Sequence, residues 1–169
     1  MPKRWRIKPN RNLRENARLM VPVMVEDFLS HKDRVINHPR LKLELHRMRL
    51  VGKTLRYAME TFEPGFEKEF SLRLEEVKQL LDTMGKIHDC DINIPHLQGF
   101  LKELRVFNRL RPDRRDRLPT SAFSKIIREQ SELRRGLFIE MTSTLQRWER
   151  DNFKLSLLRS MESEKHLKG

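Results

Sequence analysis

The sequence predicts an all-α protein: an antiparallel bundle of four core helices with appended helices, built as one domain. Three observations carry that prediction. Glycine is scarce, at 6 of 169 residues, and β-branched residues do not gather into runs. Apolar residues recur at three- and four-residue spacings over long stretches. Most prolines and glycines fall between those stretches, where they read as punctuation.

Residues 1–9 read as a basic arm without periodicity, and 10–162 as the bundle. A first helix is predicted from Asn10 to Val35, with Leu13, Ala17, Met20, Met24 and Phe28 on one face. Pro22 lacks the N–H that would reach the Arg18 carbonyl, which predicts a kink or a delayed start. Asn37-His38-Pro39 breaks the chain, and Pro39 suits a first helical turn. A second helix of roughly 35 Å then runs to Phe62 and stops at Glu63-Pro64-Gly65. A third fits Phe66 to Met84, with Gly85 as its C-terminal cap. After a turn at His88-Asp89-Cys90-Asp91, whose two aspartates would cap it, a fourth runs to Phe107. A charged loop spans 109–119. Thr120 or Ser121 caps a fifth helix reaching Arg150, and Asn152 to Met161 extends it or forms a short sixth. Residues 163–169 are expected to be a flexible tail.

Charge points to the partner. The formal net charge is +12 and the pI about 10.3. Residues 1–60 carry 15 basic and 6 acidic groups, 61–100 carry 4 and 8, and 101–169 carry 17 and 10. A chain this basic seeks a polyanion. No apolar run reaches the roughly 18 residues of a transmembrane helix, so no membrane span is expected. One cysteine excludes an internal disulfide and a multi-cysteine zinc site, and fits a reducing compartment. The basic start leads into no apolar h-region, so a cytoplasmic location is expected.

The second helix is the informative one. Lys42, His46, Arg49, Lys53 and Arg56 fall within about 80° of arc, opposite Leu41, Met48, Leu55, Met59 and Phe62. A helix charged only for solubility interleaves acids with bases on its polar face. Here no acid lies between positions 42 and 56 on the stripe, and Glu60 closes it. Arg11, Arg14 and Arg18 make a similar stripe on the first helix, and Lys125, Arg128 and Arg135 on the fifth, where Glu132 falls among them. Three such stripes are expected to converge on one groove, whose mutual repulsion an anion would offset. Cys90 reads as a small buried residue, and Trp5, Trp148 and Tyr57 do not make a stacking platform.

The segment from Leu45 to Phe62 resembles the signature helix of the CHAD family, the conserved-histidine α-helical domains. That helix reads His-x-x-Arg, a base four residues on, then Leu-Arg followed by Tyr and Glu; here these are His46, Arg49, Lys53, Leu55, Arg56, Tyr57 and Glu60. Met84-Gly85-x-x-His88-Asp89-Cys90-Asp91 resembles the family's Leu-Gly-x-x-Arg-Asp-x-Asp turn, with His88 where the family has Arg. The resemblance covers roughly residues 10–160. It implies a helical domain that binds inorganic polyphosphate, in bacteria often at polyphosphate granules, with His46, Arg49, Lys53 and Arg56 as contacts. Family members usually hold two bundle repeats around a basic groove or pore. Here His31-Lys32-Asp33-Arg34 matches only the His-x-x-Arg of a second signature, so the chain is a single-repeat version or one that pairs with itself as a homodimer.

The expected activity is therefore electrostatic binding of polyphosphate without catalysis or cofactor, strengthened at low pH if His46 gains a proton. Three other functions compete with this one. Nucleic-acid binding fits the charge, but no helix-turn-helix, RNA-binding aromatic signature or zinc finger is present. A polyphosphate-processing enzyme lacks a Walker loop, a His-Glu-x-x-His and an Arg-His-Gly signature. A protein scaffold finds no exposed apolar stripe in its favour.

Overall fold

The computed structural model describes residues 6–111 and 113–162. The fold is all helical among these residues: α1 (Leu13–Ser30), α2 (Lys32–Asn37), α3 (Lys42–Phe62), α4 (Lys68–Arg109), α5 (Ser121–Arg150) and α6 (Phe153–Ser160), with 3₁₀ turns at Glu63–Gly65 and Arg114–Asp116. Residues 1–5 of the expected basic arm and the expected tail, 163–169, lie outside the described residues.

Each boundary has a local cause. Asn12 accepts from the Glu15 N–H while the Glu15 carboxylate accepts from the Asn12 N–H, a reciprocal cap that starts α1. The helix passes through Pro22 and ends at Ser30, five residues short of the expected Val35, which belongs to the separate turn α2. Glu63-Pro64-Gly65 ends α3 as expected. Asn152, in the left-handed region at φ 51°, turns the chain from α5 into α6.

The expected third and fourth helices are one. α4 runs unbroken for 42 residues, through Gly85 and Pro95. Gly85 therefore caps nothing, and Asp89 and Asp91 cap nothing. Tertiary packing overrides both stop signals: Leu80, Leu81, Met84, Ile87 and Cys90 stay buried across the expected turn. The cost of Pro95 is local, since its missing N–H leaves the Asp91 carbonyl without its helical partner.

α4 is the central helix, packed against α3 on one side and α5 on the other. α1 packs on the far edge of α3, and α6 touches α1, α4 and α5. One core runs through these elements. Phe28, Met48, Leu55, Met59, Phe70, Leu74, Met84, Met141, Leu145 and Leu157 are fully buried in it. Trp148 stacks on Phe153 at 3.8 Å between ring centroids, joining α5 to α6.

Candidate functional site: a cationic groove between α3 and α4

The site begins with a close approach. A Cβ at Gly52 would lie 2.5 Å from Leu81 Cδ2 of α4 and 2.8 Å from Phe28 Cε2 of α1. Glycine at this position lets α3 sink between its two neighbours. With Leu45, Met48, Leu55 and Met59 buried, the adjacent edge of α3 lies along α4. That edge is the stripe Lys42, His46, Arg49, Lys53 and Arg56, about 21 Å from end to end at 1.5 Å per residue.

Each member meets α4 or its own neighbours differently. The His46 ring stacks on His88, with centroids 4.8 Å apart and planes 28° off parallel. The Arg49 guanidinium lies over Gly85, its Nη2 3.4 Å from where a Cβ would stand. Gly85 is thus the bare patch of α4 on which Arg49 rests. Tyr57 carries Lys53 and Arg56 over its ring, at 6.0 and 5.2 Å from the centroid. Arg56 Nε is 3.2 Å from Glu60 Oε1 but poorly aligned, so the pair is ionic without a hydrogen bond. Lys78 of α4 reaches the same oxygen at 3.9 Å.

The lower end is tied down. Asp91, its side chain only 5 % exposed, takes Arg134 of α5 through Nε at 2.7 Å and Nη2 at 3.3 Å. Lys42 Nζ sits 3.3 Å from its carboxylate and donates to its main-chain oxygen at 3.4 Å. That oxygen is the one Pro95 releases from the helix. Arg134 Nη2 also donates to the Pro39 carbonyl at 3.0 Å, fixing the entry to α3.

Two electrostatic facts follow. Among the described residues, Arg49 and Lys53 have no carboxylate partner, while Glu60 and Asp91 each face two cations of the groove. Also, His46 Nδ1, Arg49 Nε and Arg56 Nε are buried without a hydrogen-bond partner among the described residues. Orphaned buried polar atoms are costly, and three on one edge mark a place where an acceptor is wanted.

The other two stripes do not join the groove. Arg14 Nε donates to the Gly65 carbonyl and Arg18 Nε to the Met161 carbonyl at 3.0 Å, so both pin backbone turns; Arg11 is exposed. Lys125 is exposed and 3.8 Å from Glu129, one turn along its own helix, and Arg128 and Arg135 are exposed. None of the six makes an ion pair or side-chain hydrogen bond to α3 or α4 among the described residues. α1 packs on α3 and α5 on α4, where α5 buries Leu137, Met141 and Leu145 and leaves Lys125, Arg128 and Arg135 exposed.

Residues 4–98, 95 of the 169, match the CHAD domain. The chain belongs to the CHAD family. The match spans α1, α2, α3 and most of α4, including every groove residue except Arg134, and stops before the fifth helix. No curated protein and no solved structure matches the chain significantly. Within this CHAD chain, sequence reading missed Lys78, Asp91 as an ion-pair hub, and Arg134. The last had a signal: Arg134 lies three, four and seven residues before Leu137, Phe138 and Met141, on the apolar face where an arginine needs a buried partner. Among the described residues no helix is long and apolar enough to cross a membrane. Among the described residues no group of three or more His, Cys, Asp or Glu side chains could hold a metal ion.

Proposed function

We propose that the α3–α4 groove binds inorganic polyphosphate. One observation carries the reading: uncompensated Arg49 and Lys53 share an edge with the orphaned His46 Nδ1, Arg49 Nε and Arg56 Nε. A linear polyanion without bases needs charge at regular spacing, and the stripe supplies a side chain every three or four residues. Arginine engages two oxygens as a fork, lysine acts as a point charge, and Tyr57 holds Lys53 and Arg56 in register. Binding releases counterions and weakens steeply with salt, as for nucleic acids. No bond is made or broken and no cofactor is required. The setting that fits this reading is the cytoplasm, at polyphosphate granules, and no homodimer is needed to complete the groove.

Competition at about 150 mM salt between labelled long-chain polyphosphate and single- and double-stranded DNA and RNA tests this. Polyphosphate is expected to win, and Arg49→Ala/Lys53→Ala/Arg56→Ala to lose it while keeping the wild-type far-UV CD spectrum. A win for nucleic acid, or undiminished binding by the triple variant, would overturn the reading. Release of orthophosphate on incubation with magnesium would overturn the absence of catalysis.

A further inference from the structure

Beyond the core, α4 and α5 continue together as an antiparallel hairpin. From 92 to 111 only Leu101 and Leu104 are buried, and from 121 to 136 no residue is. Phe100 and Phe123, with ring centroids 5.1 Å apart, help hold the two helices together. Beyond residue 98 the hairpin lies outside the segment that matches the CHAD domain. Its tip carries Arg109, Arg111, Arg114, Arg115 and Arg117 against Asp113 and Asp116, all exposed.

The tip is built, and four of its five arginines lack a carboxylate among the described residues. Asn108 closes it, donating through Nδ2 to the Leu118 carbonyl and accepting from the Leu118 N–H, both at 2.8 Å. Asp113 caps the 3₁₀ turn by accepting from the Arg115 N–H at 2.9 Å. Arg117 donates twice to the Arg111 carbonyl at 3.3 Å, and the Arg111 guanidinium lies 4.5 Å from the centre of the Phe107 ring. Only Arg115 has a carboxylate, Asp113 at 3.3 Å; Arg109, Arg111, Arg114 and Arg117 have none among the described residues. Four uncompensated guanidinium groups on a closed turn repel one another, and an anion relieves that repulsion.

We propose that this tip is a second polyanion contact, separate from the groove, that makes polyphosphate binding depend on chain length. The inference rests on the polyphosphate reading above. His88 and Arg109 are 21 residues apart on one helix, about 32 Å. A short chain seated in the groove cannot reach the tip. A long one can, and its second contact is then intramolecular, governed by effective concentration rather than free ligand. The tip acts as an anchor for long chains.

The test compares tripolyphosphate with long-chain polyphosphate on wild type, on Arg109→Gln/Arg114→Gln/Arg115→Gln, and on the same three positions changed to Lys. The glutamine variant leaves Asn108, Arg111 and Arg117 in place, so the turn stays closed. It is expected to hold tripolyphosphate with wild-type affinity and to bind the long chain at least about ten-fold more weakly at 150 mM salt. Its salt slope for the long chain should fall by about 2, at roughly 0.7 per lost contact, and the lysine variant should restore most of the loss. Undiminished long-chain binding by the glutamine variant overturns the proposal, as does an equal loss for both ligands. Wild type that binds neither ligand overturns the polyphosphate reading and this inference with it, an outcome distinct from either of those two.

Discussion

Removing the Asp91 carboxylate separates what holds the groove from what the groove holds. Asp91→Ala deletes a side chain 5 % exposed that faces Arg134, 18 % exposed, and Lys42, 49 % exposed. Breaking a buried pair by deleting one partner costs about 3–5 kcal/mol, because a cation is left buried and unpaired. Here both cations have some access to water, Lys42 most of all, so the lower end applies: about 3 kcal/mol. For a chain of this size that is a fall in Tm of about 6–12 °C. Urea unfolding followed by CD at 222 nm should show a lower midpoint with an unchanged slope. Asp91→Asn, which keeps an acceptor for Arg134, should cost about half as much. Polyphosphate affinity should move the other way at low salt, since Lys42 and Arg134 lose their counter-charge. A loss of stability under about 1 kcal/mol would refute the reasoning, since Asp91 would then not be the hub that joins α3, α4 and α5.

Other consequences are as specific. Gly85→Ala sets a methyl 3.4 Å from Arg49 Nη2, and should raise helix stability by up to about 1 kcal/mol with little change in binding. Gly85→Leu should displace Arg49 and weaken polyphosphate binding, both variants being read by denaturation and titration. Burial, and then the charge of Asp91, push the Cys90 thiol above its usual range, so thiol reagents at pH 8 should label native protein far more slowly than unfolded protein. The hydrogen bond to Glu149 holds the Lys32 ammonium above its ordinary range. A raised lysine stabilises fully below 10.5, the ordinary value, and that contribution is lost as pH rises through the folded value. Alkaline unfolding above that pH should therefore lose its Lys32 component in Glu149→Gln.

How far the fold could be read in advance depended on whether a signal was local. The C-terminal end of α3, both ends of α5, and the apolar faces of α1 and α3 follow from periodicity and punctuation that act within a turn or two, whereas Pro39, expected in the first turn of α3, lies before its start at Lys42. Gly85 and Pro95 carried the same kind of signal and it misled. Gly85 faces Arg49 of another helix, and Pro95 is tolerated because the freed Asp91 carbonyl meets Lys42. Neither reason is visible along the chain. The stripe on α3 was legible because five cations share one arc of a single helix. Its placement beside α4 depends on tertiary contacts such as that at Gly52, whose missing side chain lets α3 lie close to both α4 and α1. Arg134 and Arg135 show the limit: one residue of rotation separates a buried ion pair from a solvated charge.

The central claim is best tested by watching the groove nitrogens themselves. Titration of tripolyphosphate into ¹⁵N-labelled protein, followed through arginine Nε–Hε and histidine ring resonances, assigns the contacts directly. Arg49, Arg56 and His46 are expected to shift together and saturate, while Arg128 and Arg135 on α5 stay where they are. Shifts confined to α5, or a groove silent at saturating ligand, would contradict it.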